Sequence, residues 1–155
     1  MSMLDHPPIV REALRFRRTL ERPEDLVATF RSAGVYLECM SEPPTVPVVH
    51  VDDVPWLPVF SDLSFLARYR LQRGETGEVE YLLLTGARLL DGYLPGMPPG
   101  TGVLLDPAQE HCVALPALRG ITPSSIAVDR DQPERPVAAM SPYERPVLRA
   151  WGGTL

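Results

Sequence analysis

The sequence predicts an α/β fold of the α+β kind, a mixed β-sheet of about five to six strands flanked by helices and ending in an extended Pro-rich C-terminal arm. Three observations carry this. Apolar residues recur at helical spacing through the first third of the chain. Short β-branched or Leu-rich runs bounded by Gly, Pro and Asp follow, as far as about residue 118. Proline then recurs without any apolar period. The organisation this implies is an N-terminal helix (1–22), a core domain (23–118) and the arm (119–155).

Residues 9–20 place Ile9, Ala13, Phe16 and Leu20 on one helical stripe widened by Val10 and Leu14. The opposite face carries Arg11, Arg15, Arg17 and Arg18 and reads as a solvated face, a membrane surface or acidic partner being the alternative. Pro23 opens a second helix with Glu24 and Asp25 in its first turn, where acids suit the positive end of the helix dipole. Leu26, Phe30 and Ala33 line its inner face, and Gly34 stops it before a buried strand over 35–39.

Residues 46–51 and 56–60 read as strands around an Asp52-Asp53 turn, with Pro58 pushing the latter strand toward an edge or a bulge. Ser61 suits the N-cap of a helix that carries Phe65, Leu66 and Tyr69 and closes at Gly74. In the strand over 79–84, the run Leu82-Leu83-Leu84 predicts burial on both faces. A short helical stretch over 86–93 ends at Pro95, and strands at 103–105 and 112–115 pair around the turn 106–109. Beyond Arg119 only 126–128 offers a further strand.

Composition narrows the classes of function. One domain of 155 residues, 45% hydrophobic and 23% charged, buries an ordinary core without metal or disulfide staples. Proline, at 18 of 155, is roughly twice its average of ~5% and disfavours long helices where it clusters. All 15 Lys+Arg residues are Arg, Asn is absent and Ile appears three times, a bias typical of GC-rich bacterial genomes that makes single arginines weak functional signals. A net charge of −5 offers no field for nucleic acid. The two cysteines, Cys39 and Cys112, together with an opening that lacks a secretory pattern, point to the reducing cytoplasm, and no run approaches the ~20 apolar residues of a membrane span.

A set of strings is more specific: Trp56, then Pro58-Val59-Phe60-Ser61 into a helix, Gly86-Ala87-Arg88-Leu89-Leu90, Gly102-Val103-Leu104-Leu105-Asp106-Pro107, and a strand ending at Leu115-Pro116. Over roughly 23–118 this resembles the SseB N-terminal domain, of the family named for enhanced serine sensitivity. Phe60-Ser61 stands where the family commonly has Phe-Thr, and Asp106-Pro107-Ala108 where it has Asn-Pro-Gly. Ala108 in place of that Gly restricts the third turn position to negative φ. The resemblance implies a mixed-sheet α/β fold and brings no active-site residues with it.

The chain's own residues do not assemble a reaction at the level of sequence. There is no G-x-S-x-G elbow, and His111 next to Cys112 would point to the opposite face of a strand, so Cys112 reads as a buried structural thiol. His6, His50, Cys39, His111 and Cys112 show no paired zinc spacing, Asp52-Asp53 reads as a turn, and the Gly-rich stretch 96–102 feeds a strand with prolines where phosphate-cradling amides would stand. No metal and no cofactor are expected. In the arm, Glu134-Arg135-Pro136-Val137 recurs as Glu144-Arg145-Pro146-Val147 ahead of Trp151, which suggests an extended docking peptide.

The expectation is therefore a non-enzymatic protein-interaction or regulatory module of the SseB type, with Trp56, Arg135, Tyr143, Arg145 and Trp151 as its partner-binding residues. The partner is a protein or a second copy, with a homodimer formed by arm exchange or by pairing of the Pro-bearing edge near Trp56. The competing class is a small hydrolase or transferase that uses Cys39, Cys112 or His50 in a site assembled only by the fold.

Overall fold

A computed structural model of the chain describes residues 6–41, 44–123 and 125–128. Pro8 occupies the first turn of α1 (Pro8–Thr19), which buries Ile9, Val10, Ala13 and Phe16. Pro23 does the same for α2 (Pro23–Ser32), which buries Leu26, Val27 and Phe30. The link between these helices turns at Leu20 and Arg22, two non-glycine residues with φ of 56° and 52°. Arg15 supports that turn. Its guanidinium pairs with Glu12 at 2.5 Å and donates to the carbonyls of Glu21 and Arg22 at 2.9 and 3.1 Å. The basic face of α1 is thus only partly solvated, since Arg17 also reaches across the fold to donate to the Cys112 carbonyl at 2.6 Å.

Seven strands follow: β1 (Gly34–Ser41), β2 (Pro44–Thr45), β3 (Val49–Val51), β4 (Val54–Val59), β5 (Glu80–Thr85), β6 (Gly102–Leu105) and β7 (Val113–Leu115). They form a three-stranded antiparallel sheet, order β2-β1-β5, and a four-stranded mixed sheet, order β3-β4-β6-β7, in which β4 and β6 run parallel. The mixed α+β class is as the sequence predicts, with the strands shared between two sheets. The sheets are stitched together by two hydrogen bonds between Tyr36 and Phe60, at 2.7 and 2.9 Å. The expected turn at Asp52-Asp53 is present, both residues lying at positive φ (51° and 66°) as a two-residue hairpin loop with matching twist requires.

Pro58 sits on an interior strand, paired with Leu104 of β6. Backbone alternation explains its tolerance. Phe60 bonds toward β1 and the Val59 carbonyl accepts from Asp106 on the β6 side, so Pro58 turns its missing N–H away from β6. On that side β3 has already ended opposite Trp56 and β1 begins only at Phe60. The proline occupies the one step with no acceptor waiting.

Helix α3 (Leu63–Gln72) is capped by Asp62, whose carboxylate accepts from the Ser64 amide at 2.7 Å and is held below its ordinary pKa by hydrogen bonds from Ser64. Ser61 is therefore not the cap; its side chain is committed elsewhere. After β5, α4 (Gly86–Arg88) leads into a wide turn over Leu89–Tyr93 and a 3₁₀ turn over Leu94–Gly96. Residues 125–128 form turns rather than the strand the sequence offered there, tied down by Val128 N–H donating to Ala117 O at 2.8 Å.

The core joins α1 and α2 to β4, β6, β7 and the Leu89–Leu94 segment. Two glycines are required by closeness alone. A Cβ on Gly86 would lie 1.9 Å from the Phe30 carbonyl oxygen, and one on Gly102 would lie 2.5 Å from the Trp56 ring. Gly86→Ala should lower unfolding free energy by about 3 kcal/mol, because backbone rather than a movable side chain blocks it. Gly96→Ala, with nothing within 4 Å of the added carbon, should change it by less than about 0.5 kcal/mol. Urea titration of both variants checks this difference.

Candidate functional site

The densest buried polar cluster lies where β4, β6 and β7 end or begin. Asp106, which follows β6, is completely buried, and its carboxylate accepts from the Ser61 amide (Oδ1, 2.7 Å) and the Ser61 hydroxyl (Oδ2, 2.5 Å). His111 Nε2 lies 2.7 Å from the same Oδ2 and stacks its ring against Phe65 at 5.3 Å. A carboxylate only accepts, so the imidazole donates through Nε2. The loop that brings these groups together holds Asp106 at φ 47° and Ala108 at φ 67°. Ala108 does not take the negative φ expected of it; the anchored loop holds the alanine in left-handed backbone against its preference.

Ser, Asp and His in one cluster invite comparison with a nucleophilic triad, and the geometry does not match one. In such a triad the serine hydroxyl donates to the imidazole, and the carboxylate binds the far ring nitrogen. Here hydroxyl and imidazole converge on one carboxylate oxygen, so the serine donates to the acid rather than to a base that would activate it. The cluster works as a three-way tie. Ser61 also lines an open groove of about 490 Å³ between the start of α1 and the end of α2, together with Thr29, Ser32 and Gly34. None of the described residues lining that groove is titratable.

The residues of the competing enzyme reading do not converge. His50 is exposed on β3, and Cys112 is buried just ahead of β7, strands at opposite edges of the four-stranded sheet and about 14 Å apart at the usual inter-strand spacing. Cys39 lies on β1 in the other sheet. Burial pushes the Cys112 thiol up to about 12, with Arg17 opposing weakly. No group of three or more His, Cys, Asp or Glu among the described residues could hold a metal ion.

Trp56 is not a surface anchor. It is 4% exposed, packs over Gly102 in the core, and its Nε1 is buried without a hydrogen-bond partner. On the Pro-bearing strand Val54 is 41% exposed and Pro55 to Val59 are buried. Arg135, Tyr143, Arg145 and Trp151 lie outside the described residues.

The surface that does stand open is β5, the outer strand of its sheet. The Leu82-Leu83-Leu84 run is not buried on both faces: Leu83 is 58% exposed and Tyr81 46%, while Leu82 and Leu84 pack inward. Along β5 burial alternates, Tyr81 and Leu83 being exposed on one face while Leu82 and Leu84 are half-buried on the other. Gly86 N–H donates to Ala33 O, which fixes the alternation, so Glu80, Leu82 and Leu84 bond to β1. The N–H and C=O groups of Tyr81, Leu83 and Thr85 therefore point outward. Tyr81 meets Tyr36 edge-on at 5.6 Å, extending the exposed apolar strip onto β1. The other edges are short or covered: β2 has two residues, β3 three, and β7 is fully buried. Sequence reading missed this edge because nothing local marks a strand as outermost.

No family model matches the chain, and neither the curated proteins nor the solved structures contain a match to it.

The Cys112 thiol yields a pH prediction. Its folded pKa, about 12, lies above the ordinary 9.0. The folded state therefore keeps a proton that the unfolded chain loses, and stability is intact below pH 9 and falls as pH rises toward 12. The slope from this group is about 1 kcal/mol per pH unit. Cys112→Ala should lack that part of the alkaline decline, while Tyr69 and Tyr93, also raised by burial, contribute equally to both proteins. Denaturation midpoints measured from pH 8 to 11 compare the two.

Proposed function

We propose that this chain is a non-enzymatic protein-interaction module of the SseB type, acting in the cytoplasm and binding through the open edge of β5. The observation that carries the reading is the exposed Tyr81-Leu83 edge, whose outward backbone groups face no strand among the described residues and which carries apolar side chains. An extended partner strand satisfies both at once. Its backbone completes the ladder, and its side chains cover the strip formed by Tyr36, Tyr81 and Leu83. A cytoplasmic setting is in keeping with cysteines that form no disulfide among the described residues. No helix of the described residues is long and apolar enough to cross a membrane. The repeated Glu-Arg-Pro-Val segments with Arg135, Tyr143, Arg145 and Trp151 are a second set of contacts in this reading, supported by sequence alone.

Catalysis fits less well. The serine and histidine nearest to one another are both consumed by Asp106, and the cysteine beside them is held protonated.

A photo-crosslinking residue in place of Leu83, introduced in the native cell, should give a discrete adduct that Tyr81→Arg weakens. The same probe in place of Leu71, 65% exposed on α3, should give none. Adducts at position 71 with none at position 83 would refute the assignment of the surface.

A further inference from the structure

We infer that α3 is a hinged flap. Its C-terminal half lifts off the outer face of the β2-β1-β5 sheet while the rest of the protein stays folded, and the Glu38–Arg70 ion pair is its latch.

α3 is attached by a core of its own. Among the described residues it buries Leu66 and Tyr69, which join Phe60 in a cluster flanked by Tyr36, Phe65 and Val79. That cluster is separate from the main core into which α1 sends Ile9, Val10, Ala13 and Phe16, and α2 sends Leu26, Val27 and Phe30. Phe65, in the first turn of α3, is the apolar side chain of the helix that also packs against the main core, its ring 5.3 Å from that of His111. The same end is pinned by Ser61, whose amide and hydroxyl are both bound to Asp106. This is the hinge.

The other end has no such anchor. α3 leaves through a loop in which Gly74 and Gly77 lie at φ 74° and 98°, and a Cβ on either would meet nothing within 4 Å. What holds this end down is polar. Arg70 Nη1 donates to Glu38 Oε1 on β1 at 3.1 Å, and the two side chains are only 13% and 14% exposed. The Arg70–Glu75 and Arg73–Glu75 pairs lie within the helix and its own loop and would move with it. The Arg68–Gln109 hydrogen bond is exposed, and water competes for both groups. A unit that buries few apolar side chains opens at a lower free energy than the whole fold. Removing one member of a mostly buried pair leaves the other uncompensated, so Glu38 sets how often this unit opens.

Lifting α3 uncovers Phe60 and Tyr69 beside Tyr36, whose ring already meets Tyr81 at 5.6 Å. The flap therefore controls how far the apolar strip of Tyr36, Tyr81 and Leu83 extends. That consequence rests on the reading of β5 as a binding edge; the flap itself does not.

Native-state hydrogen exchange of the full chain in low urea provides the test. The amides of Tyr69 to Gln72 should exchange about a hundredfold or more faster than those of β4 and β6, and with a weaker dependence on urea. Val103→Ala, in the main core, should speed exchange in β4 and β6 and leave the α3 amides unchanged, because the flap opens without disturbing that core. Glu38→Gln and Arg70→Met should each speed the α3 amides by about tenfold. With the photo-crosslinking residue in place of Leu83, Glu38→Gln should also raise the adduct yield.

Wild-type α3 amides that exchange no faster than those of β4 overturn the inference, and so does a Val103→Ala protein in which both sets speed up together. Unchanged α3 exchange in both latch variants overturns the role of the ion pair. Faster α3 exchange with an unchanged adduct yield overturns the control of the strip. No adduct from position 83 in either protein refutes the binding reading of β5 and leaves the flap, which exchange alone decides, standing.

Discussion

Everything in this fold that lies near the chemistry-bearing residues is organised by one buried carboxylate. Asp106 has no exposed surface, and its hydrogen bonds reach back to Ser61 after β4 and forward to His111 before β7. Burying a carboxylate is costly unless every lone pair facing the protein is used. Three donors use them here, and the result joins segments that are 45 residues apart in sequence. In this geometry the Ser61 hydroxyl and the His111 imidazole both bond to Asp106 Oδ2.

With the β4–β6–β7 side closed in this way, the opposite end of the strand arrangement is left open. The Tyr36–Phe60 bonds join the two sheets, the core covers β7, and among the described residues β5 is left as the longest uncovered edge. Proteins usually blunt such an edge with charge, proline or a bulge. The only charged residue within β5 is Glu80, at its first position, and the leucines and tyrosine that follow are the opposite of a deterrent. An edge of that composition is read more economically as a contact surface than as an oversight.

Much of the fold was legible because it is encoded locally. The three long helices follow from apolar spacing and from Pro8 and Pro23 in first turns; the Asp52-Asp53 hairpin follows from two adjacent turn-forming acids. What depended on distant neighbours was not legible. Leu82-Leu83-Leu84 has the composition of a strand buried on both faces, and the tertiary packing leaves the face that carries Leu83 exposed. Trp56 looks like an interface anchor in sequence and is a core residue because Gly102 leaves space for its ring. Ser61 has the residue type of a helix cap, yet Asp62 takes that role and frees Ser61 for Asp106. Arg15 and Arg17, which read as a solvated face, support a turn and a loop. The outer edge of β5 shares this fate, since outermost position is a property of the sheet and not of any six residues.

The central claim is that the Ser61–Asp106–His111 cluster holds the fold together. Equilibrium urea unfolding of Asp106→Ala tests it most directly. Removing the carboxylate strands the Ser61 amide, its hydroxyl and the His111 ring in the interior, at a cost of about 1–3 kcal/mol for each group left unsatisfied. The account predicts a loss of about 3 kcal/mol or more. An Asp106→Ala protein that unfolds within about 0.5 kcal/mol of wild type would contradict it, because a carboxylate that contributes nothing to stability would have to be kept for chemistry instead.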